Sequence, residues 1–191
     1  MRRIVFLTLV LFSTPVFAGE HILNPMLGVT DWSRNSGHTA AGSSLAFNND
    51  NALSLGFKYL YRFDNGLALG GSIMGYRKTV TTSTLAHKAY IVNTNALLEY
   101  YFNSQANTSP YLGFGLGGMG IGFDGGTLDA DSTAGHSLQL NAGLLHKFSE
   151  RFGMQVEYQY NTFDVNDDIH SGITKIDTYS HSLVIGLTIH L

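Results

Sequence analysis

Apolar and polar side chains alternate along segment after segment of this chain, and no helix can use that period. On a strand successive side chains point to opposite faces, so alternation gives one apolar face and one polar face. The clearest case runs from Met154 to Tyr160, where Met154, Val156, Tyr158 and Tyr160 interleave with Gln155, Glu157 and Gln159. Leu138 to Leu144 repeats it with Gln139, Asn141 and Gly143 on the second face. In Tyr90 to Phe102 the apolar set opposes Asn93, Asn95 and Glu99, and in Leu53 to Phe63 it opposes Ser54, Gly56, Lys58 and Arg62. At the end of the chain Leu183, Ile185, Leu187, Ile189 and Leu191 oppose Ser182, Gly186, Thr188 and His190.

Leu67 to Lys78, Tyr111 to Phe123 and Pro25 to Ser33 are less regular strands and bring the expected total to eight. Their connections alternate in length. Asp64-Asn65-Gly66, Asn103 to Ser109 and Ser149-Glu150-Arg151 are short, and the first is a strong hairpin signal. Asn35 to Asn51, Thr79 to Lys88, Asp124 to Gly135 and Asp164 to Asp177 are long and polar. An up-and-down meander then has every tight turn at one end and every long loop at the other, as a transmembrane β-barrel does.

Composition decides which face is outside. A water-soluble barrel needs a well-charged exterior, yet charged residues make up only 13% of the chain and the polar faces carry Ser, Gly, Asn, Gln and Thr. Aromatic residues gather at strand ends: Tyr61, Phe63, Tyr100, Phe102, Phe148 and Phe152 by the short turns, Tyr90, Tyr160 and Tyr179 by the long loops. They match the two interfacial girdles of an outer-membrane barrel. The start of the chain fits export: Arg2 and Arg3, then the apolar run Ile4 to Phe12, then the small residues Val16 and Ala18. Residues 1–18 are read as a secretory signal peptide and 19–191 as the barrel domain. The chain has no Cys, so disulfide scaffolds, thiolate metal sites and Cys nucleophiles are excluded. A formal net charge of -3 gives no broad basic surface, and no nucleic-acid partner is expected.

With these eight segments, the glycine-rich run from Pro110 to Phe123 and the terminal strand from Ser182 to Leu191, the chain resembles the small OmpA/OmpX-like outer-membrane β-barrel family. The resemblance implies an all-β, eight-stranded antiparallel up-and-down barrel in the bacterial outer membrane, both termini periplasmic. It leaves no room for the periplasmic domain of larger relatives. It implies a structural and surface-interaction role, with alternatives in a lipid A or phospholipid acyl hydrolase or a narrow passive porin. Family members end in an aromatic residue read by the barrel-assembly machinery, whereas the last residue here is Leu191. Outer-membrane lipids, lipopolysaccharide, that machinery and a host or phage surface are the partners implied.

Lys58, Arg62, Glu99, Lys147 and Glu157 share the polar face near the short turns and are expected to form an ion-pair network filling a narrow polar lumen. An ion pathway is the sharper alternative. His136-Ser137, His170-Ser171 and His181-Ser182 invite comparison with a His/Ser/acid hydrolase, with Glu157 or Asp177 as the acid. Adjacent strand residues face opposite ways, however, so no catalytic residue is assigned. His38, His87, His136, His170 and His181 lie in or beside the long loops without metal-ligand spacing, and neither a metal nor a cofactor is expected. Gly113, Gly115, Gly117, Gly118, Gly120 and Gly122 lack the Lys and helix of a phosphate loop and point to sheet packing. Asp124, Asp129, Asp131, Asp164, Asp167, Asp168 and Asp177 make the long loops acidic.

Overall fold

Alternation folds this chain into a sheet that closes on itself. The structure, a computed structural model, describes residues 19–39, 44–47, 51–81, 86–124, 132–166 and 173–191. The region expected as a signal peptide therefore lies outside it. The strands are β1 (Gly19–Thr39), β2 (Ser44–Phe47), β3 (Ala52–Phe63), β4 (Leu67–Thr81) and β5 (Ala86–Tyr101), followed by β6 (Thr108–Asp124), β7 (Ser132–Lys147), β8 (Phe152–Asn166) and β9 (Ile173–His190). Neighbours pair antiparallel in chain order from β3 to β9, and β1 joins β3 on one side and β9 on the other. The eight long strands thus form a closed barrel. In hydrocarbon each unpaired backbone group is costly, and closure leaves the sheet without an edge.

The strands run further than alternation indicates. β1 extends from Gly19 to Thr39 rather than from Pro25 to Ser33, and β2 lies inside the first expected loop. β2 continues the wall where β3 has not yet begun, pairing Gly37 with Leu45 on one side and Ala46 with Thr81 on the other. The polar flanks of β4–β9 are also drawn into the ladder, because a hairpin gains backbone hydrogen bonds whether or not its side chains alternate.

The short turns are fixed by local chemistry. Gly66 has φ +87° and donates its N–H to the Phe63 carbonyl at 3.0 Å. A Cβ there would meet the Tyr101 carbonyl oxygen. Asn103 also adopts a left-handed φ of 55°, which Asn tolerates better than most residues. Ser149 accepts the Phe152 N–H at 3.1 Å and closes the third turn.

Burial settles the orientation. Leu140, Val156 and Ile185 are 47%, 37% and 54% exposed, while Asn141 and Glu157 are 4% and 0% exposed in the bore. Leu27, Leu55, Ile73, Leu98, Leu112 and Leu187 extend the outer apolar band. The expected girdle residues lie on this outer wall, where Tyr90, Tyr100, Phe102, Phe148 and Phe152 are all exposed. The glycine-rich strand serves packing on the inner wall: a Cβ at Gly113 would collide with the Asn141 amide, and one at Gly117 with the Thr94 carbonyl and Asn95.

Candidate functional site

An eight-stranded bore is just wide enough for side chains to fill it, so its contents decide what the barrel can pass. At mid-bore Lys58 reaches from β3 to two carboxylates on other strands. Its Nζ is 2.9 Å from Glu99 Oε1 on β5 and pairs with Glu157 Oε2 on β8. The two carboxylates outnumber the cation, and neutral donors meet the remainder. Tyr101 donates to Glu99 at 2.8 Å and Tyr111 to Glu157 at 2.6 Å. These two rings stack at 4.7 Å, and the ammonium of Lys58 lies 5.3 Å over the Tyr111 ring. Asn141 Nδ2 donates to Glu99 at 2.6 Å and to Glu157 at 3.2 Å. Gln155 and Gln159, flanking Glu157 on the same face, add donors at 3.0 and 2.6 Å. Five strands therefore meet at one charged knot, and a buried charge supported on so many sides is costly to disturb.

The other two expected members, Arg62 and Lys147, belong to a separate cluster at the mouth beside the short turns. Its centre is Glu20 on β1, which pairs with Arg62, with Lys147 at 3.3 Å and with His190 Nδ1 at 3.1 Å. Arg62 also lies 5.0 Å over the Tyr101 ring, so the two clusters touch through one aromatic side chain. The single network expected from sequence is thus two. Glu20, His190, Tyr101 and Tyr111 are members that sequence reasoning passed over. Extending the parity of β5 by two residues from Glu99 places Tyr101 on the inner face, and that signal was available. No sequence signal pairs Glu20 with Lys147, because their meeting depends on closure.

The bore is also less uniformly polar than expected. Toward the loop end Trp32 stacks on Phe163 at 5.4 Å and meets Tyr76 edge-on at 5.6 Å. Met74, Ile91, Met119 and Ile121 fill the space around them. Ile22, Leu60, Leu97 and Leu145 pack toward the other end. Between knot and aromatic plug lies a layer of amides and hydroxyls, in which Asn95 donates to Gln139 at 2.7 Å and accepts from Ser137 at 2.6 Å. Thr30 and Ser182 bond at 2.8 Å within the same layer.

The two His-Ser pairs among the described residues are split by the wall. His136 is exposed outside, whereas Ser137 is buried in the bore. His181 sits on the outer wall with its Nδ1 2.5 Å from the Tyr158 hydroxyl, and Ser182 points inward to Thr30. Glu157 is sealed in the knot, out of reach of both histidines. His170, Ser171, Asp129, Asp131, Asp167, Asp168 and the side chains of His38, His87, Asp124 and Asp177 lie outside the described residues. Among the described residues no group of three His, Asp or Glu side chains is placed to hold a metal ion.

Comparison with known proteins agrees with this architecture. The family model described as "Outer membrane protein beta-barrel domain" matches residues 4–189. No curated protein matches the chain. Among solved structures, the Neisserial surface protein A barrel superposes with a TM-score of 0.62 at 18% identity, covering 88% of this chain and 96% of that one. OprG from Pseudomonas aeruginosa gives 0.59 at 14% identity, covering 92% and 97%. Ail, the attachment invasion locus protein of Yersinia pestis, solved with the heparin analogue sucrose octasulfate, gives 0.55 at 19% identity, covering 89% and 98%. At such identities the likeness is one of fold.

Proposed function

This chain belongs to the outer membrane protein β-barrel domain family and resides in the bacterial outer membrane, and from that premise we propose that it is a plugged barrel supporting the envelope and presenting its long loops as an interaction surface. The observation that carries this reading is the Lys58–Glu99–Glu157 knot. It crosses the bore between β3, β5 and β8 with every member fully buried. Ions entering from the periplasm would have to break it, and beyond it Trp32, Phe163 and Tyr76 pack against one another across the bore, with the buried ammonium of Lys78 held 5.6 Å over the Trp32 ring. A bore this full does the work of a rigid core, and loops on a rigid scaffold are where recognition is usually placed.

The partners that fit are outer-membrane lipids and lipopolysaccharide along the wall, the barrel-assembly machinery during insertion, and a host or phage surface at the loops. The sulfated sugar bound by Ail does not transfer to this chain, since the shared feature is the fold.

Planar-bilayer recording tests the plug. Protein whose folding is verified by its altered gel mobility before boiling is expected to leave the bilayer silent. Stable single-channel steps at modest voltage would overturn the reading and favour a narrow passive porin.

A further inference from the structure

The outer wall carries a charged feature that the bore does not use. Arg77 on β4 and Lys88 on β5 both face outward and are exposed, and the ladder sets Arg77 opposite Tyr90 and Thr79 opposite Lys88. The two cations are therefore diagonal neighbours on one face, about 7–8 Å apart at the backbone and within reach of one another's long side chains. Like charges so placed repel, and an anion between them removes the cost. Among the side chains described, neither forms an ion pair. Together with Asn51, Lys78 and Thr79 they line a cleft of about 250 Å³. Lys88 has Asp124 as its register partner on β6, but the cleft lies on the opposite flank, over β3 and β4.

Two further features suit the cleft to an amphiphile. The Arg77 guanidinium lies 5.8 Å over the Tyr90 ring, which holds it at the level of the outer girdle. On the periplasmic side of the cleft the same face turns apolar, with Leu53, Leu55, Ile73 and Val92 all exposed. Cations stand above a hydrocarbon-facing wall, at the boundary between long loops and membrane.

We propose that this cleft is a headgroup site for a phosphorylated glycolipid of the outer leaflet. Arg77 and Lys88 take the phosphate, Asn51 and Thr79 supply neutral hydrogen bonds, and the acyl chains lie along Leu53, Leu55, Ile73 and Val92. A guanidinium fork matches two phosphate oxygens, and basic side chains at a membrane surface draw anionic headgroups. The inference rests on the barrel's place in the outer membrane and not on the plugged bore. A conducting barrel that still selects this lipid would sink the plug alone.

The test uses the full chain folded in phosphatidylcholine vesicles doped with bisphosphorylated lipid A, with retained lipid counted by native mass spectrometry after detergent extraction. The R77Q/K88Q double variant is expected to retain about twentyfold less lipid A than the unaltered protein. R151Q, in the periplasmic turn, is expected to match the unaltered protein. Lipid A stripped of phosphate should be retained as poorly by the unaltered protein as the phosphorylated form is by the double variant. Inorganic phosphate should not displace the bound lipid. Equal retention by the unaltered and doubly substituted proteins, indifference to the lipid's phosphates, or full displacement by inorganic phosphate would each overturn the proposal. Gel mobility before boiling certifies folding. Should the double variant not fold, K88Q alone is expected to lower retention about fivefold, and unchanged retention would count against the site.

Discussion

Among the described residues the bore holds two ion clusters of opposite stoichiometry, and their contrast shows how depth sets the worth of a charge. At mid-bore one cation serves two carboxylates, and all three side chains are at most 1% exposed. At the short-turn mouth one carboxylate gathers three basic groups, and Glu20 and Lys147 remain 24% and 22% exposed. Water completes the solvation of the mouth. The knot must find every partner within the protein, which is why two tyrosines, an asparagine and two glutamines converge on it.

The largest expected effect comes from removing the shared cation. Lys58→Met leaves Glu99 and Glu157 facing each other without compensation, and stability should fall by about 3–5 kcal/mol, the cost of stripping one partner from a buried pair. Urea unfolding of the vesicle-inserted barrel, followed through emission of the single tryptophan, Trp32, measures it. A loss no greater than an exposed pair gives would mean that water reaches the knot. Lys58→Met combined with Glu99→Gln and Glu157→Gln should recover most of that loss in the same assay, since neutral amides still meet the tyrosine hydroxyls and no charge is stranded.

The mouth should respond less. Glu20→Gln is expected to cost about 1–2 kcal/mol, between the values of exposed and buried pairs. Its effect should shrink as salt is raised, whereas that of Lys58→Met should not. Lys147→Met is the smallest change, about 0.2–1 kcal/mol, because Glu20 keeps Arg62 and His190. If Glu20→Gln proved as damaging as Lys58→Met, burial would not be what ranks the two clusters.

Much of this architecture was legible in the chain. Val156 and Glu157 had to face opposite ways whatever the barrel enclosed, and the scarcity of charge opposite the apolar positions pointed Val156 at lipid. The apolar plug was harder to see. In Tyr90-Ile91-Val92 both faces are apolar, so periodicity carries no direction there; Ile91 proves to be inside and its neighbours outside. Glu20 was hidden for another reason, since it lies at the very start of β1 and meets Lys147 only because β1 closes the sheet.

Sequence alone determined the period, the side of the wall faced by each residue of the alternating segments and the end of the barrel each short turn occupies, because these follow from backbone geometry and from local transfer of side chains between water and hydrocarbon. Tertiary structure alone decided which inward residues share a layer. That depends on the stagger with which strands join around the ring, so Lys58 met Glu99 and Glu157 while Arg62, four residues further along the same strand face, was given to Glu20.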